Sequence, residues 1–433
     1  MSAVLENHTD SAQDSWEFRL DTGTEPEVSD SWNCSLEVDG SVFDVTPADY
    51  NSHVDAGGTV SDIGIIFSTS EDADIEGTYR VDASTKEAVK MTSEEEKMYR
   101  NAEIAAADAG STAEAGSGVS KEVAAADMSG TPFANHGKLS VDGTDLVDAH
   151  GKAYQLKGVS THGIAWFPQF VNEDAFRTLR DDWGANLVRL AMYTAESGGY
   201  YTDGDKAALE QMVDTGVKAA TDLGMYVIID WHILSDQTPL KYQDQAEDFF
   251  SRMSAKYSGQ GNVLYEICNE PNGSTSWSDI KTYAEEIIPI IRAHDPDAVI
   301  IVGTPTWSQD VDKAAADPIT DYDNIMYTLH FYAATHKDDL RNRLTAARNS
   351  GLPIFVSEFS ICDASGNGGI DYDSAAAWKG LINEDNLSYA GWSLANKNET
   401  SALLKSNVTK TSGWTDDDLS DTGLWLKQMI AGK

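Results

Sequence analysis

A (β/α)8 barrel, preceded by a small, incomplete all-β sandwich segment and a flexible linker, is the architecture this 433-residue sequence predicts. Three observations predict it. Residues 1–85 alternate apolar and polar side chains in period two between turn signals, residues 86–131 are rich in Ala, Glu, Ser and Gly and poor in aromatics, and from Phe133 eight short apolar runs alternate with amphipathic segments. The expected division is a sandwich segment over 1–85, a linker over 86–131 and the barrel over 132–433.

In the first segment WEFRL, SWNCSLEVDG, SVFDVTPADY and GTVSDIGIIF read as short antiparallel strands. The second has little Pro, so it reads as a flexible spacer rather than a stiff one, with a transient helix expected over 93–108. The third opens on GKLSVDGTDLVDAHGKAYQLKG, a β-hairpin pattern with Asp-Gly and His-Gly at its turns. Barrel strands are then expected at 157–162, 186–191, 226–231, 263–269, 298–303, 325–330, 353–358 and 388–394, with helices among them at 205–223, 244–257, 277–294 and 338–349. Eight such units in about 300 residues is the count for a closed barrel. A doubly wound sheet would have fewer strands and a phosphate-binding Gly loop after the first, whereas this first strand runs into STHGIAW.

Composition excludes some partners. The 31 Lys and Arg against 71 Asp and Glu give a net charge of −40, shared between both parts: residues 1–132 carry 28 acids and 7 bases, the rest 43 and 24. Such a field repels nucleic acid and anionic membranes, so neither is expected as a partner, and it suits a neutral polymer that needs no electrostatic steering. Cys34, Cys268 and Cys362 are far apart, show no metal-type spacing and allow at most one disulfide. No run approaches the roughly 20 apolar residues of a membrane helix. The start, MSAVLENHTDSAQDSW, has neither the basic nor the apolar region of a signal peptide. Eleven Trp and seventeen Tyr supply core rings and leave enough to line a sugar-binding cleft.

Barrels of this kind place their chemistry at the C-terminal ends of the strands. Those ends carry His162, Arg189, Asp230 with His232, Asn269 with Glu270, His330 with Tyr332, Glu358, and Trp392. Glu270 and Glu358 each follow an apolar run, on the fourth and seventh strands, which face each other across the barrel mouth. A retaining glycosidase needs two carboxyls roughly 5–5.5 Å apart, one protonated and one ionised. Arg189 is expected to hold the Glu358 carboxyl down and ionised, while the charge on Glu358 helps to raise Glu270. His162, His232 and His330 with Asp230 offer zinc-type ligands but no local pair such as HxH, so no metal or cofactor is expected.

The motifs YEICNEPNG (265–273), FVSEFS (355–360), IIDWHILSD (228–236), VSTHGIAW (159–166), YTLHFYAATH (327–336) and GWSLANKNETSALL (391–404) together resemble glycoside hydrolase family 5, most closely its bacterial endo-β-1,4-glucanases, from about Phe133 to the C-terminus. The resemblance implies Glu270 as acid/base and Glu358 as nucleophile. It implies that Asn269 binds the 2-hydroxyl at the cleavage point and that Arg189, His232, His330 and Tyr332 surround the pair. His162, Trp166, Tyr193, Trp392, Lys397 and Glu399 match positions lining the non-reducing subsites, and Trp307 a platform for the leaving-group sugars. Cellulose or a related β-glucan is the implied substrate, cleaved internally with retention and without cofactor, by a secreted enzyme expected to be a monomer. The preference for glucan rests on WSLANKNETSALL. Mixed-linkage glucan, xyloglucan, xylan or mannan is the alternative within the enzyme class, and a non-catalytic carbohydrate-binding protein the distant one outside it. Beyond SALL the chain runs KSNVTKTSGW where relatives often have a Pro-Gly turn, so that loop is expected to differ in shape. The span from WEFRL to IGIIF resembles the later half of a family 2 cellulose-binding module whose first strands are expected to be missing, with Trp16, Trp32 and Tyr50 as core rings or sugar contacts.

Overall fold

The computed structural model describes residues 130–432 without a break and, before them, 2–6, 15–24, 26–32, 34–48, 52–54, 59–68, 79–81 and 88–90. The helix expected over 93–108, Tyr50 and the Trp32 side chain lie outside what is described. The chain divides into two compact units, Met1–Glu122 and Val123–Lys433, each taken by itself below.

Among its described residues the first unit is all β: β1 (Ser2–Glu6), β2 (Phe18–Asp21), β3 (Glu27–Trp32), β4 (Cys34–Asp39), β5 (Val42–Pro47), β6 (Thr59–Ser68), β7 (Tyr79–Val81) and β8 (Ala88–Lys90). One sheet has the order β1-β6-β3 and another β2-β5-β4, all neighbours antiparallel. Every second residue of three strands points into one shared core: Phe18 and Leu20, Phe43 and Val45, Ile63 and Ile65, joined by Trp16 and Val54. Two sheets burying one core is a sandwich, and Trp16 is part of that core. Strand β1 lies ahead of the four strands legible in the sequence and pairs with β6, and β8, within the stretch read as linker, pairs with β7.

The second unit opens with a short helix, Pro132–His136, and the hairpin β9 (Ser140–Asp142) and β10 (Asp145–Val147), turning at Gly143. Then β11 (Lys157–Thr161), β12 (Leu187–Tyr193), β13 (Tyr226–His232), β14 (Val263–Cys268), β15 (Ile300–Val302), β16 (Ile325–Tyr332), β17 (Ile354–Ser360) and β18 (Tyr389–Leu394) close a parallel barrel in sequence order. Pairing of Gly158 with Ala390 is part of the seam between β11 and β18. The connecting helices bury apolar stripes against the strands. In Lys206–Asp222, capped by the Asp205 side chain, Leu209, Val213, Val217 and Ala220 recur at helical spacing, and Gly216 sits so close to Leu190 that a Cβ there would lie 2.6 Å from its side chain. No helix among the described residues is long and apolar enough to cross a membrane.

Alternation along the strands separates two cores. In β12 the residues Val188, Leu190 and Met192 face the helices, while Leu187 joins Tyr226, Ile228, Leu264, Ile301, Met326 and Phe355 in a plug inside the barrel floor, covered by Leu139 and Leu146 of the hairpin. Three strands break the alternation; on β18 Trp392 faces the cavity and Leu394 the helix layer, with a register shift against β11 between them. Register shifts between Glu266 and Cys268 on β14, and between Val356 and Phe359 on β17, mark bulges. Ile267 and Cys268 consecutively face the helix layer on β14, and on β17 Val356 and Phe359 face it with Ser357 and Glu358 between them. The bulges on β14 and β17 re-aim the residues around them, Glu358 on β17 itself and Glu270 in the loop just after β14.

Candidate active site

Above the apolar floor the barrel interior turns polar. Ser160, Arg189, Asp230, Glu266, Thr328 and Ser357, all with no exposed surface, form a layer on which the strand-end residues rest. Arg189 is its hub. Its guanidinium makes a forked contact to Glu266 (Nε to Oε2 2.7 Å, Nη2 to Oε1 3.1 Å), pairs with Asp230 at 3.0 Å and Glu358 at 3.2 Å, and donates to Asn269 Oδ1 at 2.6 Å. Burial opposes its charge, but Asp230, Glu266 and Glu358 outweigh that and raise its pKa, so it stays protonated.

Glu270 and Glu358 converge at the mouth. One carboxylate oxygen of each, together with a ring nitrogen of His330, lie within 4.8 Å of one another. That is close to the spacing of a retaining pair and too short for an inverting one, which leaves roughly 6.5–9.5 Å for a water. Tyr332 donates its hydroxyl to Glu358 Oε1 at 2.8 Å and Arg189 bonds Oε2, so both oxygens of Glu358 are held. Glu270 instead meets His330 Nδ1 at 2.8 Å and, among the described residues, has no Lys or Arg ion pair.

The electrostatics correct two expectations. Arg189 does pull the Glu358 carboxyl down, but burial first and the charge of Glu270 second push it up, and the net shift is upward. The reason is that Arg189 is shared among three carboxylates instead of reserved for one. Glu270 is raised to about 8 by burial, and the charges that add to the shift against Arg189 are Asp230 and Glu266, not the expected Glu358. The asymmetry that keeps Glu358 the ionised partner therefore lies in direct contacts, one cation and one phenol, more than in a lowered pKa. Burial lowers His330 to about 4 and His232 well below its ordinary value, so both rings are neutral near pH 7.

A cavity of about 660 Å³ opens over this pair. It is lined by His162, Trp166, Tyr193, His232, Glu270, Trp307, His330, Tyr332, Glu358, Trp392, Lys397 and Glu399, which is every expected site residue except Asn269 and Arg189. Those two lie fully buried beneath it. Asn269 donates to His232 Nε2 (3.2 Å) and Ile233 O (3.0 Å), so its amide is fixed from both sides. Trp166 packs on Tyr193 at 4.6 Å and Trp392 stacks on His232 at 5.3 Å, making an aromatic wall over β11, β12, β13 and β18. Lys397 reaches Glu399 at 2.6 Å, which itself faces His162 at 3.6 Å. On the opposite side, after β15, Thr306, Trp307 and Ser308 all have φ between 54° and 59°, a left-handed run that Trp307 N to Pro271 O (3.0 Å) and Ser308 Oγ to Asn269 O (2.7 Å) tie to the loop carrying Glu270. It leaves Trp307 45% exposed.

Sequence reasoning did not single out Glu266, Ser357, Thr328 or Glu196 as site residues. Glu266 had a visible signal, a charge inside the apolar run VLYEIC. Ser357 had none, because its inward aim depends on the β17 bulge. Glu196, whose Oε1 accepts from Ser235 N at 2.9 Å, also lines the cavity. A second concavity of about 710 Å³ lies at the other end of the barrel by Val141, Arg292 and Asn324, where Arg292 is committed to the carbonyls of Ala298 and Asp323.

Comparison with known proteins gives two family matches: residues 147–398 fit the model described as cellulase (glycosyl hydrolase family 5), and residues 1–82 the one described as cellulose binding domain. An endoglucanase of Clostridium saccharobutylicum is 51% identical over 297 residues, 68% of this chain and 65% of that one, so the match spans just under two thirds of that relative. Endoglucanase E-5 of Thermobifida fusca is 34% identical over 444 residues, 99% of this chain and 88% of the relative. Among solved structures, the catalytic domain of Thermobifida fusca endoglucanase Cel5A aligns with a TM-score of 0.67 and 38% identity over 70% of this chain and all of that domain. Cellulase Cel5C_n aligns with a TM-score of 0.67 and 45% identity, covering 70% of this chain and 94% of the other.

Proposed function

Because the chain belongs to glycoside hydrolase family 5, we propose that it hydrolyses internal β-1,4-glucosidic bonds of cellulose and related β-glucans with retention, Glu358 acting as nucleophile and Glu270 as acid/base. The observation that carries this reading is the pair itself: two buried carboxyls with oxygens within 4.8 Å, one held by a cation and a phenol and the other raised to about 8. In the first step a Glu358 oxygen bonds to the anomeric carbon as the glycosidic C–O bond breaks and Glu270 gives its proton to the departing oxygen. In the second, water attacks the same carbon, Glu270 takes its proton, and the Glu358 ester is released. Neither step draws on a metal or cofactor.

The cleft supports an internal cut. In the closed strand order β15 stands opposite β11, so Trp307 and the Trp166–Trp392 wall flank the glutamates and a glucan chain can cross between them on both sides. Polymer specificity resides in the same wall, with Lys397 and Glu399 offering a donor and an acceptor to sugar hydroxyls. The first unit, matching a cellulose-binding model over 1–82, is proposed to hold the enzyme on insoluble substrate, with the residues between Lys90 and Thr131 as its tether. A substrate too large to enter a cell places the working enzyme outside it.

Carboxymethyl cellulose should lose viscosity well before its reducing ends accumulate, and a panel of lichenan, xyloglucan, xylan and mannan should rank below β-1,4-glucan. Failure to cleave any β-glucan would refute the proposal. Its pH dependence follows from the two carboxyls. Activity needs Glu358 ionised and Glu270 protonated, so kcat/KM should fall on the acid side above the ordinary carboxylate range and on the alkaline side through about 8.

A further inference from the structure

We infer that Ser357 and Glu266 lock the buried imidazole of His330 in the tautomer that carries its proton on Nε2, so that the bare Nδ1 always faces Glu270. The inference rests on the proposed role of Glu270 and adds two positioning residues to it.

The deduction is a count of hydrogens. Glu266 receives the forked contact of Arg189 and is an acceptor only. Ser357 Oγ lies 2.7 Å from Glu266 Oε1, so the single hydroxyl proton of Ser357 is spent there. Thr328 Oγ1 also contacts Ser357 Oγ, and with that proton already committed, Thr328 must be the donor. His330 Nε2 stands 3.0 Å from the same oxygen and can only donate to it. The ring is neutral, because burial outweighs the charge of Glu358 and lowers it to about 4. One proton on Nε2 leaves none on Nδ1, which lies 2.8 Å from Glu270 Oε1.

That contact is a hydrogen bond only while Glu270 is protonated. When Glu270 ionises, a lone pair faces a carboxylate. The lock therefore favours the protonated acid in the free enzyme and makes the ionised form a stronger base towards water in the second step. Other charges face Glu270 from Arg189 on β12, Asp230 on β13, Glu266 on β14 and Glu358 on β17, and none of them supplies a proton at its Oε1. Without Ser357 the imidazole is free to move its proton to Nδ1 and donate to ionised Glu270, which lowers the pKa of that carboxyl.

The test is the pH profile of kcat/KM on soluble β-glucan for the full chain and for Ser357→Ala, with circular dichroism and a thermal melt to confirm folding. The alkaline limb should move down by roughly one pH unit with the acid limb in place. A loss of equal size at every pH, with the limb unmoved, would overturn the lock. Nitrogen-15 NMR of the histidine-labelled wild-type chain, with the His330 signal identified by its absence in His330→Gln, gives a reading independent of the variant's stability. Protonated Nε2 and bare Nδ1 support the lock; a protonated Nδ1 overturns it. Failure of the underlying role of Glu270 would look different, since Glu270→Gln would then keep the alkaline limb while the tautomer stayed as described.

Discussion

Glu358→Ala should reduce kcat/KM on carboxymethyl cellulose by roughly four orders of magnitude or more, the scale on which removal of a covalent nucleophile is felt. The reason is that no other described carboxylate can take its place. Asp230 and Glu266 sit one layer lower, fully buried and committed to Arg189, and Glu270 is the proton donor, in the loop after β14. The fold should survive, because Arg189 keeps Asp230, Glu266 and Asn269 when it loses Glu358. A melting temperature near that of the wild type would separate lost chemistry from lost structure. Azide offered to the variant enters the space of the missing carboxylate and should give a product of inverted configuration from an activated aryl cellobioside. Residual activity within tenfold of the wild type would remove Glu358 from the mechanism.

Glu270→Ala is expected to cost about 10²–10⁴-fold on polysaccharide, the range of a lost general acid and base. The signature lies in its selectivity. An aryl cellobioside whose leaving group departs without protonation should still glycosylate Glu358, after which water attacks slowly because its base is gone. The ester then accumulates, so kcat and KM fall together, and azide, which needs no base, restores turnover with retained configuration. The alkaline limb of kcat/KM near 8 should disappear as well, because the group assigned to it is absent. Equal losses on activated and unactivated substrates would contradict the assignment.

Much of this was legible in the sequence because barrels repeat a simple pattern. The helices at 277–294 and 338–349 match Trp277–His294 and Asp338–Asn349, as their apolar stripes are long and bounded by polar caps. Six motifs at strand ends carry ten of the twelve expected residues on the cavity wall and one of the two beneath it, with Tyr193, Trp307 and Arg189 coming from outside them. The shortfalls have physical causes. Strict alternation puts Ser357 and Glu358 on opposite faces of β17, and only the bulge turns both inward; no residue in FVSEFS announces that bulge. The sharing of Arg189 was hidden for a related reason. Its partners Asp230 and Glu266 lie 41 and 77 positions along the chain and meet it only when the barrel closes, so a one-to-one pairing with Glu358 was the simpler expectation. In the first unit, β1 was missed because SAVLE is a short run separated from its partner β6 by the strands in between.

The pairing of Glu358 as nucleophile with Glu270 as acid/base is tested most directly by trapping the covalent intermediate. An activated 2-deoxy-2-fluoro-cellobioside, which forms the glycosyl ester readily and releases it slowly, should inactivate the enzyme with one sugar bound per chain. Mass spectrometry of the digested protein should then find the adduct on Glu358. An adduct on Glu270 or on another carboxylate, or no adduct alongside a product of inverted configuration, would contradict the assignment of roles.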